Sequence, residues 1–466
     1  MKQERRIRNQ LNIDNKMIID IRPGYFTILI ITLILSALLP AVSFADTDSI
    51  SQDPDINKEK IESYKLAIET YPDDAVIHYN LGVAYGNSGM YKEAIESYKQ
   101  ATGFNPDYAK AYYNLGVVYE NSGMNKEAIE SYMQAIKIYP DYVMAHYNLG
   151  VVYGISGMYE EAIESFKQAI IIDPNDAGTH YNLGFAYVNL GMHEEAIESY
   201  KQAAQIDPDA VAAHRGLGDL FFRSNMYKEA IESYKEVIRV DPDDVDTHYN
   251  LGVAYNKSGM YKEEAESYKH VTSINPDDVN AHYNLGVAYY NSGLYMEAIE
   301  SYKQAIEIGP EDVDTHYNLG VAYSKSSMYK EAIESYKQVI SINPDDADAH
   351  YNLGVAYNKS GMYKEAIESS KQAIRISSDD AVTHYNLGVA YSKSGMYKEA
   401  IESYKQVISI NPGDAKAHYN LGVAYNNSGM YKEAIESYKQ VININSDDAD
   451  AHYNLGVAYD NSGLYK

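Results

Sequence analysis

A chain of 466 residues with 66 Asp/Glu against 39 Lys/Arg carries a formal charge of −27 and contains neither cysteine nor tryptophan. The missing cysteine excludes disulfides, thiolate metal sites and a cysteine nucleophile. Residues 1–45 hold six Lys/Arg and three Asp/Glu, so the remainder stands at −30; such a surface repels nucleic acid and anionic lipid headgroups, which are bound through clustered Lys/Arg.

At the start of the chain, Lys2, Arg5, Arg6, Arg8, Lys16 and Arg22 precede an almost uninterrupted apolar run from Tyr25 to Leu39. Ser43-Phe44-Ala45 follows Pro40, with small residues at both cleavage-specifying places. The succession reads as a secretory signal peptide over residues 1–45 cut before Asp46, or as an uncleaved membrane anchor if the apolar run extends to Phe44. Both readings put the rest of the chain across the cytoplasmic membrane, periplasmic or extracellular, because the positive flank stays behind. Residues 46–57 are polar, include Pro54 and read as a linker.

Beyond it, one stretch organises everything. His78-Tyr-Asn-Leu-Gly-Val-Ala-Tyr85 returns with little change at His146, His180, His248, His282, His316, His350, His384, His418 and His452, and in degraded form at Tyr112 and His214. The interval is always 34 residues or a multiple of it, and a fixed period of that length signals a stack of supersecondary units. In the unit from Ala75 to Tyr108, Leu81, Ala84 and Tyr85 fall at helical spacing, and Gly89 stands where a left-handed residue ends a helix. Tyr91 to Phe104 resumes the pattern through Ala94, Ile95, Tyr98 and Ala101 until Pro106 stops it. Two helices of about 14 residues, each ~21 Å long, joined by so short a turn can only pack antiparallel.

Leu81, Gly82, Tyr85, Ala94, Tyr98 and Pro106 fill, in order, the places of the tetratricopeptide repeat signature, and the chain resembles that family over some 400 residues. The resemblance implies an all-α, right-handed superhelical solenoid of 34-residue helix-turn-helix repeats, with the first helices lining a concave face. Eleven units span residues 75–448, beginning at Ala75, Ala109, Val143, Ala177, Val211, Val245, Val279, Val313, Ala347, Ala381 and Ala415, with half repeats at 58–74 and 449–466. Gly82 and Ala94 are expected to face one another across the helix pair. His78 stands where the signature has Trp. Glu264, at the place of Ala94, and Ser370, at that of Tyr98, predict local fraying; Ser378 and Ser446 replace the stop proline and Ser327 the turn glycine.

The eleven histidines of the repeated stretch recur about 10 Å apart if helices pack at their usual distance, too far for neighbours to share a metal, so no metal and no cofactor is expected. The asparagine before each Leu-Gly is the sharper candidate: Asn80, Asn114, Asn148, Asn182, Asn250, Asn284, Asn318, Asn352, Asn386, Asn420 and Asn454. In the resembling family this residue looks like a ladder that grips extended peptides. A carboxamide can pair with any backbone amide, and one rung per unit meets roughly every third residue of a strand advancing ~3.3 Å per residue; alternatively the asparagine caps or solvates the groove. Tyrosines such as Tyr249, Tyr283, Tyr317 and Tyr351 precede the asparagines and are expected to flank the groove. In the unit at Val211, Arg215, Asp219 and Arg223 replace the usual residues at i, i+4, i+8 on that face, to anchor a carboxylate or to pair with one another.

No phosphate loop or His-Glu-x-x-His occurs, and serines such as Ser97 recur beside acids rather than beside a histidine. The reading is a non-catalytic protein-protein interaction scaffold holding an extended protein or peptide partner in its concave groove. A truncated glycosyltransferase-type enzyme carrying such an arm, and an envelope component self-associating end to end, are the alternatives.

Overall fold

The computed structural model describes residues 54–463; the expected signal segment at 1–45 and most of the linker lie outside them. Among the described residues there are 24 α-helices and no strand. The first runs from Pro54 to Thr70, so the helix starts at Pro54 rather than at Lys58, and Asn57 is already buried. No described helix is long and apolar enough to cross a membrane.

Each unit repeats one local solution. In the unit at Ala75 the first helix spans Ala75–Asn87, and the Asp74 carboxylate accepts the otherwise orphaned N–H groups of Val76 and Ile77. Nine first helices are capped by an aspartate in this way, Asp176, Asp312 and Asp448 among them. Gly89 then takes φ of +70° and lets the Met90 N–H reach the Tyr85 carbonyl at 2.9 Å. The second helix, Tyr91–Phe104, starts there. Ser327 holds the same left-handed turn at φ 60°, and so does Asn225 at 59°, a substitution passed over in the sequence.

Contacts divide the described residues into two compact units, 54–258 and 259–463. Within each, a first helix packs on its own second helix and on the second helix of the preceding repeat. The close approach inside a repeat is not the expected one. A Cβ on Gly82 would lie 2.7 Å from the Tyr98 ring, so the glycine opposes that ring rather than Ala94. Gly116 with Tyr132, Gly150 with Phe166 and Gly320 with Tyr336 repeat the contact, and the rings are almost fully buried.

The histidine in the tryptophan slot ties repeats together. The His78 Nε2–H donates to the Pro72 carbonyl at 2.7 Å, and His248 does the same to Pro242 at 2.8 Å. Because the acceptor is a backbone carbonyl, the proline is dispensable: His384 reaches Ser378 at 3.1 Å and His452 reaches Ser446 at 3.0 Å. Fraying at the irregular residues is not seen. The helices Tyr261–Ile274 and Tyr363–Ile376 run unbroken with Glu264 and Ser370 buried inside them.

A serine in the left-handed region is strained by about 1–2 kcal/mol and asparagine by less. Ser327→Gly is therefore expected to raise the stability of its repeat by about 1 kcal/mol and Asn225→Gly by less, read as slower amide exchange around each turn. An unchanged exchange rate for Ser327→Gly would count against the strain.

Candidate functional site

The side chains predicted to meet a partner lie on the first helices, two adjacent places in each repeat. Their principal partners are one another. The Asn114 Nδ2 donates to the Tyr79 hydroxyl at 2.9 Å, 35 residues earlier. The same bond joins Asn148 to Tyr113 at 3.1 Å, Asn182 to Tyr147 at 2.9 Å, Asn318 to Tyr283 at 2.9 Å, Asn352 to Tyr317 at 2.7 Å, Asn420 to Tyr385 at 2.7 Å and Asn454 to Tyr419 at 2.8 Å. Each rung is thus a clasp between consecutive repeats.

Burial follows from this arrangement. Asn284 and Asn318 are fully buried, and Asn148, Asn182, Asn250 and Asn352 nearly so. Tyr249, Tyr283, Tyr317 and Tyr351, expected to offer flat area along a groove, are between 0% and 8% exposed, whereas Tyr453 is 72% exposed. Asn80, Asn250 and Asn386 make no side-chain hydrogen bond to another described residue, and Asn386 instead accepts the Asn358 amide on its backbone carbonyl at 3.2 Å. The amides therefore divide into clasped and unclasped ones, a division that the repeating sequence hides.

Acids line the same row. Burial raises the Tyr317 hydroxyl well above its ordinary pKa, with Asp348 and Asp346 adding to it and the Asn352 bond opposing it. Tyr147 is raised by burial and by Asp176, and Tyr419 by burial and by Asp450 and Asp448. Carboxylates thus stand beside the clasped hydroxyls.

The unit at Val211 breaks the row. Glycine replaces asparagine at Gly216, so Tyr181 has no amide to clasp it, and burial pushes its hydroxyl up to about 12 with Arg215 opposing the shift. Arg215 pairs with Asp244, which also caps the next first helix through the Thr247 N–H at 3.1 Å. Asp219 accepts the Tyr234 hydroxyl at 2.7 Å. Its carboxyl is held above the usual range by burial, with the Tyr234 bond, Arg223 and Arg215 pulling the other way. Of the three residues expected to act together, Arg215 and Asp219 serve the array, and Arg223 is the exposed one. Glu120 was missed in the sequence: it accepts the Tyr132 hydroxyl at 2.7 Å, as Asp219 does Tyr234, and is likewise raised by burial.

Profiles of the family described as TPR repeat match residues 87–123, 155–395 and 424–463. Profiles described as Tetratricopeptide repeat match 109–142 and 381–414, and 63–96, 131–164 and 403–436. No curated protein matches the chain. Among solved structures, the MamA protein is similar at 30% identity and a TM-score of 0.36, covering 37% of this chain and 94% of its own. YrrB, described as a TPR protein with an unusual peptide-binding site, is similar at 25% identity and 0.38, covering 41% and 97%. The APC/C hetero-tetramer Cut9-Hcn1 reaches 14% identity and 0.35 over 87% and 94%.

Removing a clasped amide leaves a buried tyrosine hydroxyl without its donor. Asn318→Ala and Asn352→Ala are each expected to lower stability by about 1–3 kcal/mol, whereas Asn80→Ala and Asn386→Ala stay within ~0.5 kcal/mol. Urea titration compares the two pairs, and equal effects would contradict the division.

Proposed function

The chain belongs to the tetratricopeptide repeat family, and from that premise we propose that it holds another protein as an extended segment lying along the tyrosine–asparagine row. The observation that carries this reading is where the repeats differ. They are nearly uniform where they pack, through Leu-Gly, the buried ring and the histidine bond, with Ser370 and Tyr112 as exceptions. They diverge one helical turn before the row, at Val76, Lys110, Met144 and Gly178 in the first compact unit and at Asn280, Asp314, Asp348, Val382, Lys416 and Asp450 in the second. Val76, Met144 and Val382 are about half exposed at this place. A stack whose only task was to repeat itself would have no use for such variety. A scaffold that reads a partner does, since specificity needs different groups at successive contacts.

We read the chain as non-catalytic. The serines of the Glu-Ser-Tyr runs support this, because Ser97, Ser131 and Ser165 each donate to the carbonyl four residues back at 2.8–2.9 Å and face no base. The basic, apolar and small-residue succession at 1–45 supports work beyond the cytoplasmic membrane.

For the binding reading, the full chain is used to capture a partner from an extract of its own source. Beside it run a variant of the row's exposed flank, Asp348→Lys with Val382→Glu and Lys416→Glu, and a control on the second helices, Lys337→Glu with Lys405→Glu. Loss of a captured protein in the first variant alone is expected; its retention in the first and loss in the control would move the binding face to the second helices. For export, amino-terminal sequencing of the mature protein is expected to begin at Asp46, or to find an intact chain in the membrane fraction. An intact chain in the soluble cytosol would sink the proposal.

A further inference from the structure

Which segment the row accepts depends on which hydrogen-bonding groups its amides have left. A carboxamide carries two donors and one acceptor. Clasping turns its nitrogen toward the tyrosine hydroxyl of the preceding repeat. In Asn454 the orientation is fixed twice, since the same nitrogen donates to the Asp450 carbonyl at 2.9 Å, an atom that can only accept. There only the carbonyl oxygen is left to bond, whereas a singly clasped amide keeps one N–H beside its oxygen. In Asn352 that oxygen is buried and has no hydrogen-bond partner.

Resting on the groove reading above, we propose that the row selects a basic extended segment, one bearing Lys or Arg, over neutral and acidic ones, with the units at Val313 and Ala347 as its centre. Carboxylates flank the row there. Asp346 gives one oxygen to the Ala349 N–H at 2.8 Å as a helix cap, which leaves the other, and Asp348 is exposed one turn from the clasp of Asn352 to Tyr317. Asp312 and Asp314 hold the same places one repeat earlier. The −30 charge of residues 46–466 draws a cation in the same direction.

Lys325, Lys359 and Lys393 are exposed in the last turns of the same first helices, eleven residues beyond Asp314, Asp348 and Val382. That is about 16 Å along the helix, more than a Debye length at physiological salt, so they do not neutralise the acids. They instead repel a basic segment that strays to their side and keep it over the row. Acid in a first turn and base in a last turn also suit the helix dipole. The dipole accounts for the placement of both charges but not for the buried, unpaired oxygen of Asn352.

The test uses the full chain and three labelled peptides of equal length in a Gly/Ser background, with Lys, Ser or Glu at every third position. Binding is read by fluorescence anisotropy. The Lys peptide is expected to bind about tenfold tighter than the Ser peptide, to weaken as salt is raised, and to lose about fivefold in Asp314→Asn with Asp348→Asn. Glu334→Gln with Glu402→Gln, which removes acids from the second helices, should leave it unchanged, and circular dichroism confirms that the variants fold. Equal or tighter binding of the Ser or Glu peptide overturns the proposal, as does an equal loss in the two variants, which would mean general attraction to an acidic surface. A Glu peptide that binds and is released by Asp348→Lys with Val382→Glu and Lys416→Glu would keep the groove and discard the preference for base. A Lys peptide indifferent to every first-helix variant would discard the groove itself.

Discussion

Everything in a repeat depends on a glycine meeting an aromatic ring. At Gly82 and its counterparts a methyl group would sit 2.5–2.8 Å from the facing ring, closer than carbon atoms tolerate. One side of the ring thus stands where a side chain on the first helix would be, so the close approach of the two helices requires a residue without a Cβ there. A pair fixed this way presents its remaining faces at the same angle each time, and that sameness lets a 34-residue unit stack on itself. The unit at Ala347 shows the tolerance of the device. With Ser370 in place of the ring, its hydroxyl oxygen stands 2.8 Å from the Cβ position on Gly354, and the helix pair persists.

Between repeats the bonds are polar and directional. The histidine bonds back to the loop before its own helix, and the asparagine bonds back to the tyrosine of the preceding first helix. Apolar surface alone would hold two repeats together in many nearly equivalent positions, since burial is proportional to area and indifferent to register. A bond from Asn318 to Tyr283 allows one position, and when both partners are buried the alternative is an unsatisfied polar group. In the unit at Val211, where glycine and arginine displace the usual pair, a different polar link appears: Arg215 to Asp244. Polar linkage is therefore kept even where the residues that ordinarily supply it are gone.

The architecture was legible because periodicity reports on packing. The turn at Gly89 and the stop at Pro106 are places where backbone geometry restricts the residue type, so the sequence displays them directly. Asn225 was harder to see because asparagine tolerates the left-handed turn and does not announce it. The candidate site was legible only in its location. A residue repeating every 34 positions on one helix face is the same in sequence whether it points at a ligand or at the neighbouring repeat. The offset of 35 between Asn114 and Tyr79 becomes visible only when the repeats are stacked. The same is true of Asp219 and Tyr234, where the substituted acid looks like an addition to the surface and is in fact an acceptor for a buried hydroxyl.

Because the row proposed to bind a partner also joins the repeats, binding there would share its atoms with the junctions of the array. In Asn454 both N–H groups are engaged, by the Tyr419 hydroxyl and the Asp450 carbonyl, so a ligand group that accepts hydrogen bonds would have to compete with the clasp there, whereas Asn352, which donates once, keeps a second N–H. A ligand group that donates meets the asparagine carbonyl oxygen instead and leaves the clasp closed. Where both N–H groups are engaged, as in Asn454, such a clasp would favour a donor, and the acids beside the tyrosines would extend that preference from hydrogen bonding to charge.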